Sequence, residues 1–284
     1  MARLNLLEET RFEKLPVSVF ENPKIASINV AHRIAELIKS KQANNTPAVL
    51  GLATGVTPIA VYAELVRLHK EEGLSFKNVI TFNLDEYYPM APTAAQSYVT
   101  FMNENLFNHI DIDKKNVHIP DGTLALEDIP AFCLDYEKKI GDLGGLDIQI
   151  LGIGRTGHIG FNEPTSSLAS RTRLKTLSDE TISDNSKITG DIPQVAITMG
   201  IGTILEAKQI LLLAFGEAKA KAVAKAIEGP ISSSCSASAL QMHRDVRFIL
   251  DEEAATELRH RSYYDRVVEQ TTKYAPELLG IAND

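Results

Sequence analysis

Tryptophan is absent from this chain, and cysteine occurs only twice. Cys133 and Cys235 show no CxxC or other metal-ligand spacing, which argues against a zinc site and against a disulfide framework. They read as free thiols in a reducing cytosol, with a single disulfide as the alternative. No run of about 18 apolar residues occurs, so no membrane-spanning helix and no membrane partner are expected. A basic stripe is also missing. The 29 Lys and Arg are outnumbered by 37 Asp and Glu, giving a formal charge of −8, so nucleic acid is not an expected partner. An acidic protein that binds an anion must do so locally, with backbone N–H groups and a few Lys or Arg. Met1 to Leu15 mixes Arg, Glu and Lys with Leu and lacks the apolar core of a signal peptide, so a cytoplasmic location is expected. No internal repeat, low-complexity block or interdomain linker is visible.

What is present is an alternation of strand-like and helix-like segments. The chain is 44% hydrophobic over 284 residues, enough for one large core. Val17–Phe20, Ala48–Leu52, Asn78–Leu84, Val117–Ile119, Leu146–Leu151, Val195–Met199, Gln209–Phe215 and Val246–Leu250 read as strands. Lys24–Lys41, Thr57–Glu71, Ser97–Phe107, Asp128–Gly141 and Lys219–Glu228 read as helices between them. The repeated order predicts a single α/β domain, with a doubly wound, mostly parallel sheet flanked by helices, Rossmann-like in its winding. Thr165 to Ile192 is polar and strand-poor, and its place beside a glycine-rich loop makes it a lid candidate. Ala254 to Asp284 reads as a C-terminal extension of charged, helix-like sequence. It would pack on a neighbouring subunit or lead into a further domain.

Three places carry candidate chemistry. Ala53-Thr54-Gly55-Val56-Thr57-Pro58 joins a strand to a helix start. Its two hydroxyls, its glycine and the free N–H groups of the helix suit a phosphate, and an ordinary capped turn is the alternative. At Thr81-Phe82-Asn83-Leu84-Asp85-Glu86-Tyr87, two adjacent acids at a strand end point in different directions. One can face a cleft as a base while the other binds the scaffold, or both can be solvated. The run Leu151-Gly152-Ile153-Gly154-Arg155-Thr156-Gly157-His158-Ile159-Gly160-Phe161-Asn162-Glu163-Pro164 places His, Asn and Glu in a glycine loop after a strand. That is a way to present acid–base chemistry at the carboxyl edge of a sheet. Lys219, after Gly216-Glu217, can reach an anion at that edge. Arg171, Arg173 and Lys175 form a second cationic cluster, either an anion site or surface charge.

In these blocks the chain resembles the glucosamine-6-phosphate deaminase family, also called glucosamine-6-phosphate isomerase. The likeness runs from about Lys24 to Asp251. It rests on the Thr-Gly-x-Thr-Pro turn, the Thr81–Tyr87 run followed by Ser97-Tyr98, Gly157–Pro164, and Ser166–Leu177. The resemblance implies conversion of glucosamine 6-phosphate and water to fructose 6-phosphate and ammonia by a hydrolytic deaminase of amino-sugar catabolism, without metal or cofactor. It implies that Asp85 moves a proton between C2 and C1, and that His158 assists ring opening with Glu163 in its relay. It implies that Thr54, Gly55, Val56, Thr57 and Lys219 hold the phosphate. Glu86, Tyr98 and Lys187 join the implied substrate-contacting set. Bacterial members are often hexamers activated by N-acetylglucosamine 6-phosphate, so a homo-oligomer is implied, with Ser166, Arg173 and Lys175 at the activator site.

The sequence departs from the family at four places. The loop often reads Gly-Asn-Asp-Gly-His, with Asn for the Asp in some members. Here Arg155-Thr156 stands in that place. Thr156 carries no negative charge, yet it can accept a hydrogen bond and orient the ring. Arg155, if close, would favour neutral His158. Lys187 replaces a common Arg and loses the bidentate fork. The turn has Ala53 for Pro and Val56 for Gly or Ser. Two other readings therefore stay open. One is a non-catalytic phosphosugar binder. The other is a relative with a different sugar-phosphate substrate, a 6-phosphogluconolactonase being the weakest form of it.

Overall fold

Runs such as Ala48–Leu52 and Ile210–Ala214 are apolar at nearly every position, and every residue of both is buried. Strands covered on both faces require that pattern. They are β2 and β9 of a seven-stranded sheet ordered β1-β10-β9-β6-β2-β3-β5, in which every pairing is parallel. The other strands are β1 (Val17–Phe20), β3 (Val79–Asn83), β5 (Val117–His118), β6 (Ile148–Leu151) and β10 (Val246–Asp251). The computed structural model describes residues 15–274, apart from the side chains of Ile188 and Thr189. The doubly wound sheet expected from the alternating segments is the one found. No helix among the described residues is long and apolar enough to cross a membrane.

Helices α1 (Pro23–Ala43), α2 (Ile59–Glu72), α3 (Tyr98–Asn105), α4 (Ile129–Asp142) and α7 (Ala220–Glu228) lie between strands. Helix α1 starts where Asn22 accepts a hydrogen bond from the Ile25 N–H, with Pro23 in the first turn. Its buried stripe of Ala26, Val30, Ile34 and Ile38 follows helical spacing and joins the core beneath β2 and β10. Helix α2 ends at Gly73, whose φ of 72° no β-branched residue would adopt readily.

Winding reverses at β2. Strands β3 and β5 are added on one side of it, and β6, β9 and β10 on the other. The carboxyl ends of β2 and β6 are therefore neighbours at a switch point, where open α/β sheets hold ligands. Strands β3 and β9 flank that pair.

A second, antiparallel sheet of order β4-β8-β7 stands beyond this edge. Its strands are β4 (Asp85–Tyr88), β7 (Arg173–Thr176) and β8 (Val195–Thr198). Thr198 is in register with Asp85 on one side and Arg173 on the other. The expectation that Thr165 to Ile192 is strand-poor is corrected by β7. Arg173-Leu174-Lys175-Thr176 has one apolar residue, so its pairing is set by β8 rather than by its own propensity. The segment continues as helix α5 (Asp179–Thr189), capped by Ser178. Helix α6 (Ile201–Leu205) follows β8.

Helix α8 (Arg261–Tyr274) lies in the expected extension and packs on this chain's own β1. The Tyr264 hydroxyl donates to Glu228 at 3.1 Å. The rest of that extension, and Met1 to Lys14, fall outside the described residues. Cys133 and Cys235 are both free and buried.

Candidate active site

The turn after β2 is pinned from below by the buried Tyr62, whose hydroxyl donates to the Ala53 carbonyl. Gly55 takes φ 90°, and no side chain caps the start of α2. Gly55 and Val56 are exposed and Thr54 and Thr57 half-buried, so the turn is open to a ligand. The strand–turn–helix arrangement expected at this point is present. Ala53 is buried and points away from it. A hydrogen bond links Thr54 to Tyr98 at the start of α3, and Tyr98 in turn reaches the Tyr87 hydroxyl at 3.1 Å. Burial first, then the charges of Tyr87 and Asp85, push the Tyr98 hydroxyl up, so it remains a donor.

The two acids after β3 divide their roles. Glu86 accepts hydrogen bonds from Ser97 Oγ (2.7 Å) and from the N–H groups of Tyr87 (2.9 Å), Tyr98 (3.1 Å) and Val99 (3.2 Å). Both its oxygens are engaged by the scaffold. The implied substrate contact of Glu86 is therefore corrected: it anchors β4 to the N-terminus of α3, where an anion is favoured. Asp85 is 6% exposed and turns the other way. Burial, with the Glu86 charge second, pushes its carboxyl up to about 8, and a hydrogen bond with Thr198 works against that rise. A carboxyl so placed is a stronger base than a solvated one.

The glycine loop after β6 comes within reach of Asp85. A Cβ on Gly160 would lie 3.0 Å from Thr198 Oγ1 and 3.4 Å from Asp85 Oδ2. Gly160 also takes φ 53°, so glycine is required there both for space and for backbone. Gly154 is needed for a different reason: its Cβ would fall 2.2 Å from the His158 ring, which lies flat against that backbone. The loop is held from outside by Ser236, which receives the Ile159 N–H at 3.2 Å and donates to the Asn162 carbonyl at 2.8 Å.

His158 Nδ1 is 2.9 Å from Thr156 Oγ1 and 3.2 Å from Glu163 Oε2. Both implied partners of the ring are therefore present, and one of them is a carboxylate. Burial alone would raise Glu163. The ion-pair contact with His158, with Thr181 and the Ser178 N–H, outweighs it and holds the carboxyl down to about 2. Thr156 supplements that carboxylate. With Nδ1 occupied, Nε2 is the nitrogen left to face a ligand.

Arg155 does not act on His158 as a free cation. Its guanidinium forms a two-pronged pair with Asp184 of α5, at 2.7 and 2.6 Å. Lys187 Nζ lies 3.5 Å from the same carboxylate. Lys219, after β9, is half-buried. Desolvation lowers its pKa, Asp184 acts in the opposite direction, and Arg155 adds to the lowering. The phosphate-end cations implied by the resemblance are thus gathered around one acid.

Of the implied activator residues, Ser166 is buried and its hydroxyl has no hydrogen-bond partner. Arg173 donates to Asn162 Oδ1 at 2.8 Å, in the catalytic loop itself. Lys175 follows Arg173 by two along β7 and shares its face. Arg171 leaves the expected cluster: it pairs with Glu137 and Glu206. The residues missed from sequence are Thr198, Asp184 and Asn185. Thr198 lies in a plain strand, while Asp184 and Asn185 lie in a polar segment, and nothing local marks any of them. Asn185 donates to the Tyr87 hydroxyl at 2.9 Å, tying α5 to β4.

The family model for glucosamine-6-phosphate isomerases/6-phosphogluconolactonase matches residues 21–248. A glucosamine-6-phosphate deaminase of Colwellia psychrerythraea is 49% identical over 266 residues, covering 93% of this chain and 97% of that protein. One of Hahella chejuensis is 50% identical over 260 residues, covering 90% and 97%. The solved structure of a monomeric glucosamine-6-phosphate deaminase superposes with a TM-score of 0.81 at 45% identity, covering 86% of this chain and all of the other. A 6-phosphogluconolactonase from Trypanosoma brucei shares the fold at a TM-score of 0.70 and 23% identity, and the likeness at that level is one of fold alone. On these matches, the chain belongs to the glucosamine-6-phosphate isomerase/6-phosphogluconolactonase family.

Proposed function

We propose that this chain converts glucosamine 6-phosphate and water to fructose 6-phosphate and ammonia. The observation that carries the reading is the buried Asp85 carboxyl, held up to about 8 and set beside a glycine loop that presents His158 with Glu163 on its far nitrogen. His158 Nε2 serves the ring oxygen, because opening a pyranose needs a proton donor there and a neutral–cationic imidazole pair can supply and recover it. Asp85 then removes the C2 proton of the open chain and returns it to C1. The resulting C2 imine takes up water and releases ammonia. The turn Thr54–Thr57, with Lys219 and Lys187, fixes the phosphate so that C1 and C2 lie at Asp85. The net change is an isomerisation coupled to deamination.

The test is release of ammonia and fructose 6-phosphate from glucosamine 6-phosphate, with Asp85→Asn as control. Turnover that Asp85→Asn abolishes supports the reading. Binding of the sugar phosphate without turnover favours the non-catalytic alternative, and turnover of another sugar phosphate favours the relative with a different substrate. Two unpaired buried cysteines fit a reducing compartment, which supports a cytoplasmic setting. The implied hexamer and its activator are also part of this proposal. Contact of Arg173 with the catalytic loop would pass an activator's presence to Asn162. Sedimentation with and without N-acetylglucosamine 6-phosphate separates this from an unresponsive monomer.

A further inference from the structure

We infer that Arg155 is a phosphate ligand held in reserve, and that Asp184 is the internal anion occupying its place until the substrate's phosphate arrives. The inference rests on the deaminase reading for the identity of that phosphate. It adds to it a specificity residue, and a competitor for the same cations, that the resemblance does not supply.

Arg155 and Lys187 are in ion-pair contact with Asp184, and Lys219 responds to the charges of both Asp184 and Arg155. One carboxylate thus pairs with two cations and acts at longer range on a third. A phosphate monoester carries between one and two negative charges at neutral pH and has three acceptor oxygens. It satisfies the cluster better than a single aspartate.

Lys219 points the same way. It is half-buried, and its ammonium forms no hydrogen bond or ion pair among the described residues. A partly desolvated ammonium without a direct partner is costly unless an anion completes it. The open turn Thr54–Thr57, at the end of the strand two places from β9, supplies N–H groups for the same anion.

The parked pair is built to exchange. The Arg155 side chain is 51% exposed and that of Asp184 33%, and an exposed pair of this type contributes little to stability. Its two-pronged geometry matches phosphate oxygens as well as carboxylate oxygens. Asp184 belongs to α5 and Arg155 to the catalytic loop, two residues before Gly157 and three before His158. Exchange of partner therefore also frees α5 from the loop.

A mere clasp between α5 and the loop would also show these contacts, so the test must separate the two. Arg155→Gln and Asp184→Asn both break the pair. A clasp predicts that both shift ligand affinity in the same direction. A reserved ligand with a competing internal anion predicts opposite directions. The measurements use the full chain: calorimetric binding of inorganic phosphate, and KM for glucosamine 6-phosphate. Arg155→Gln should weaken phosphate and raise KM about tenfold, the worth of one charge-assisted hydrogen bond. Arg155→Lys should recover part of the loss. Asp184→Asn should tighten phosphate about two- to fivefold, since the competitor it removes is exposed.

Shifts in the same direction, or none, overturn the inference. Circular dichroism and recovery by Arg155→Lys show whether Arg155→Gln has simply lost its fold. If turnover is normal and the affinities do not diverge, the inference falls and the deaminase reading stands. If the affinities diverge but glucosamine 6-phosphate is not turned over, the reverse holds.

Discussion

Replacing Glu163 by Gln keeps the size of the side chain and removes its charge, which isolates what the carboxylate does for His158. The carboxyl is held at about 2 against an ordinary 4.5, a difference of about 2.5 units. At 1.36 kcal/mol per unit this is roughly 3 kcal/mol of preference for the ionised form. Burial opposes that preference, and His158, Thr181 and the Ser178 N–H overcome it together, so the figure is the net of these effects and sets the scale for the contact with His158. A barrier change of that size is about 10²-fold in rate. Glu163→Gln should therefore lower kcat for ammonia release between about ten- and a hundredfold, with KM little changed, because the phosphate end is untouched. The pH dependence of stability supplies a second readout. A carboxyl whose folded pKa lies below its unfolded one contributes fully above about 4.5 and loses that contribution as pH falls toward 2. The melting temperature of the native chain should drop across that window more steeply than that of Glu163→Gln. A variant with kcat within twofold of the native chain, and the same acid limb, would refute the claim that Glu163 supports the His158 charge.

Asp85 has the opposite sign. Its folded pKa is raised to about 8, so its contribution to stability is full below about 3.8 and is lost as pH rises through 8. Asp85→Asn should melt higher than the native chain at pH 9, while losing about 10²- to 10⁴-fold in kcat. In the native chain kcat/KM should rise with pH to a plateau above about 8, and a flat profile from pH 6 to 9 would count against Asp85 as the base. At Thr156, the valine variant should lose roughly 1 kcal/mol of hydrogen bonding to His158, about fivefold in kcat. The aspartate variant sets a second carboxylate beside Glu163 and should gain less than threefold; a tenfold gain would show that Glu163 alone does not serve the ring. Gly154→Ala puts a Cβ 2.2 Å from the His158 ring, so kcat should fall tenfold or more with circular dichroism unchanged, and near-native kcat would mean the ring is free to move.

Much of this architecture can be read before any coordinates are seen, because β2, β9 and β10 are apolar enough to announce burial on both faces. The site was legible where a sheet strand ends in a glycine-bearing turn, as at Thr54–Thr57 and Gly152–Gly160. The second sheet was not. Asp-Glu-Tyr-Tyr in β4 and Arg-Leu-Lys-Thr in β7 carry no strand pattern of their own. They are strands because Val195–Thr198 offers both of its edges. Glu86 was misplaced for a related reason. Adjacent acids at a strand end look alike in sequence, and only the arrival of Ser97, Tyr98 and Val99 shows which of them holds the scaffold. Likewise Thr156 looks like a lost carboxylate when the loop is read alone, whereas Glu163, seven residues on, meets the same nitrogen.

The two sheets divide the work of the site. On the proposed reading the parallel sheet supplies the phosphate end: the turn after β2 and Lys219 after β9 rise from strands buried on both faces, so their spacing is fixed by the core. The antiparallel sheet, on the same reading, supplies the sugar end. Thr198 of β8 is in register with Asp85, and its hydroxyl receives the Phe161 N–H at 3.1 Å. A single threonine thus ties the base to the loop that carries His158. Arg173, on the other side of Thr198, reaches that loop through Asn162. A shift of β8 would carry Asp85, the glycine loop and β7 together. Helix α5 joins the loop to β4, with Asp184 on Arg155 of the loop and Asn185 on Tyr87 of β4. Perturbations of α5 should accordingly alter how well a bound phosphate aligns C2 with Asp85 before they alter the acidity of either catalytic group.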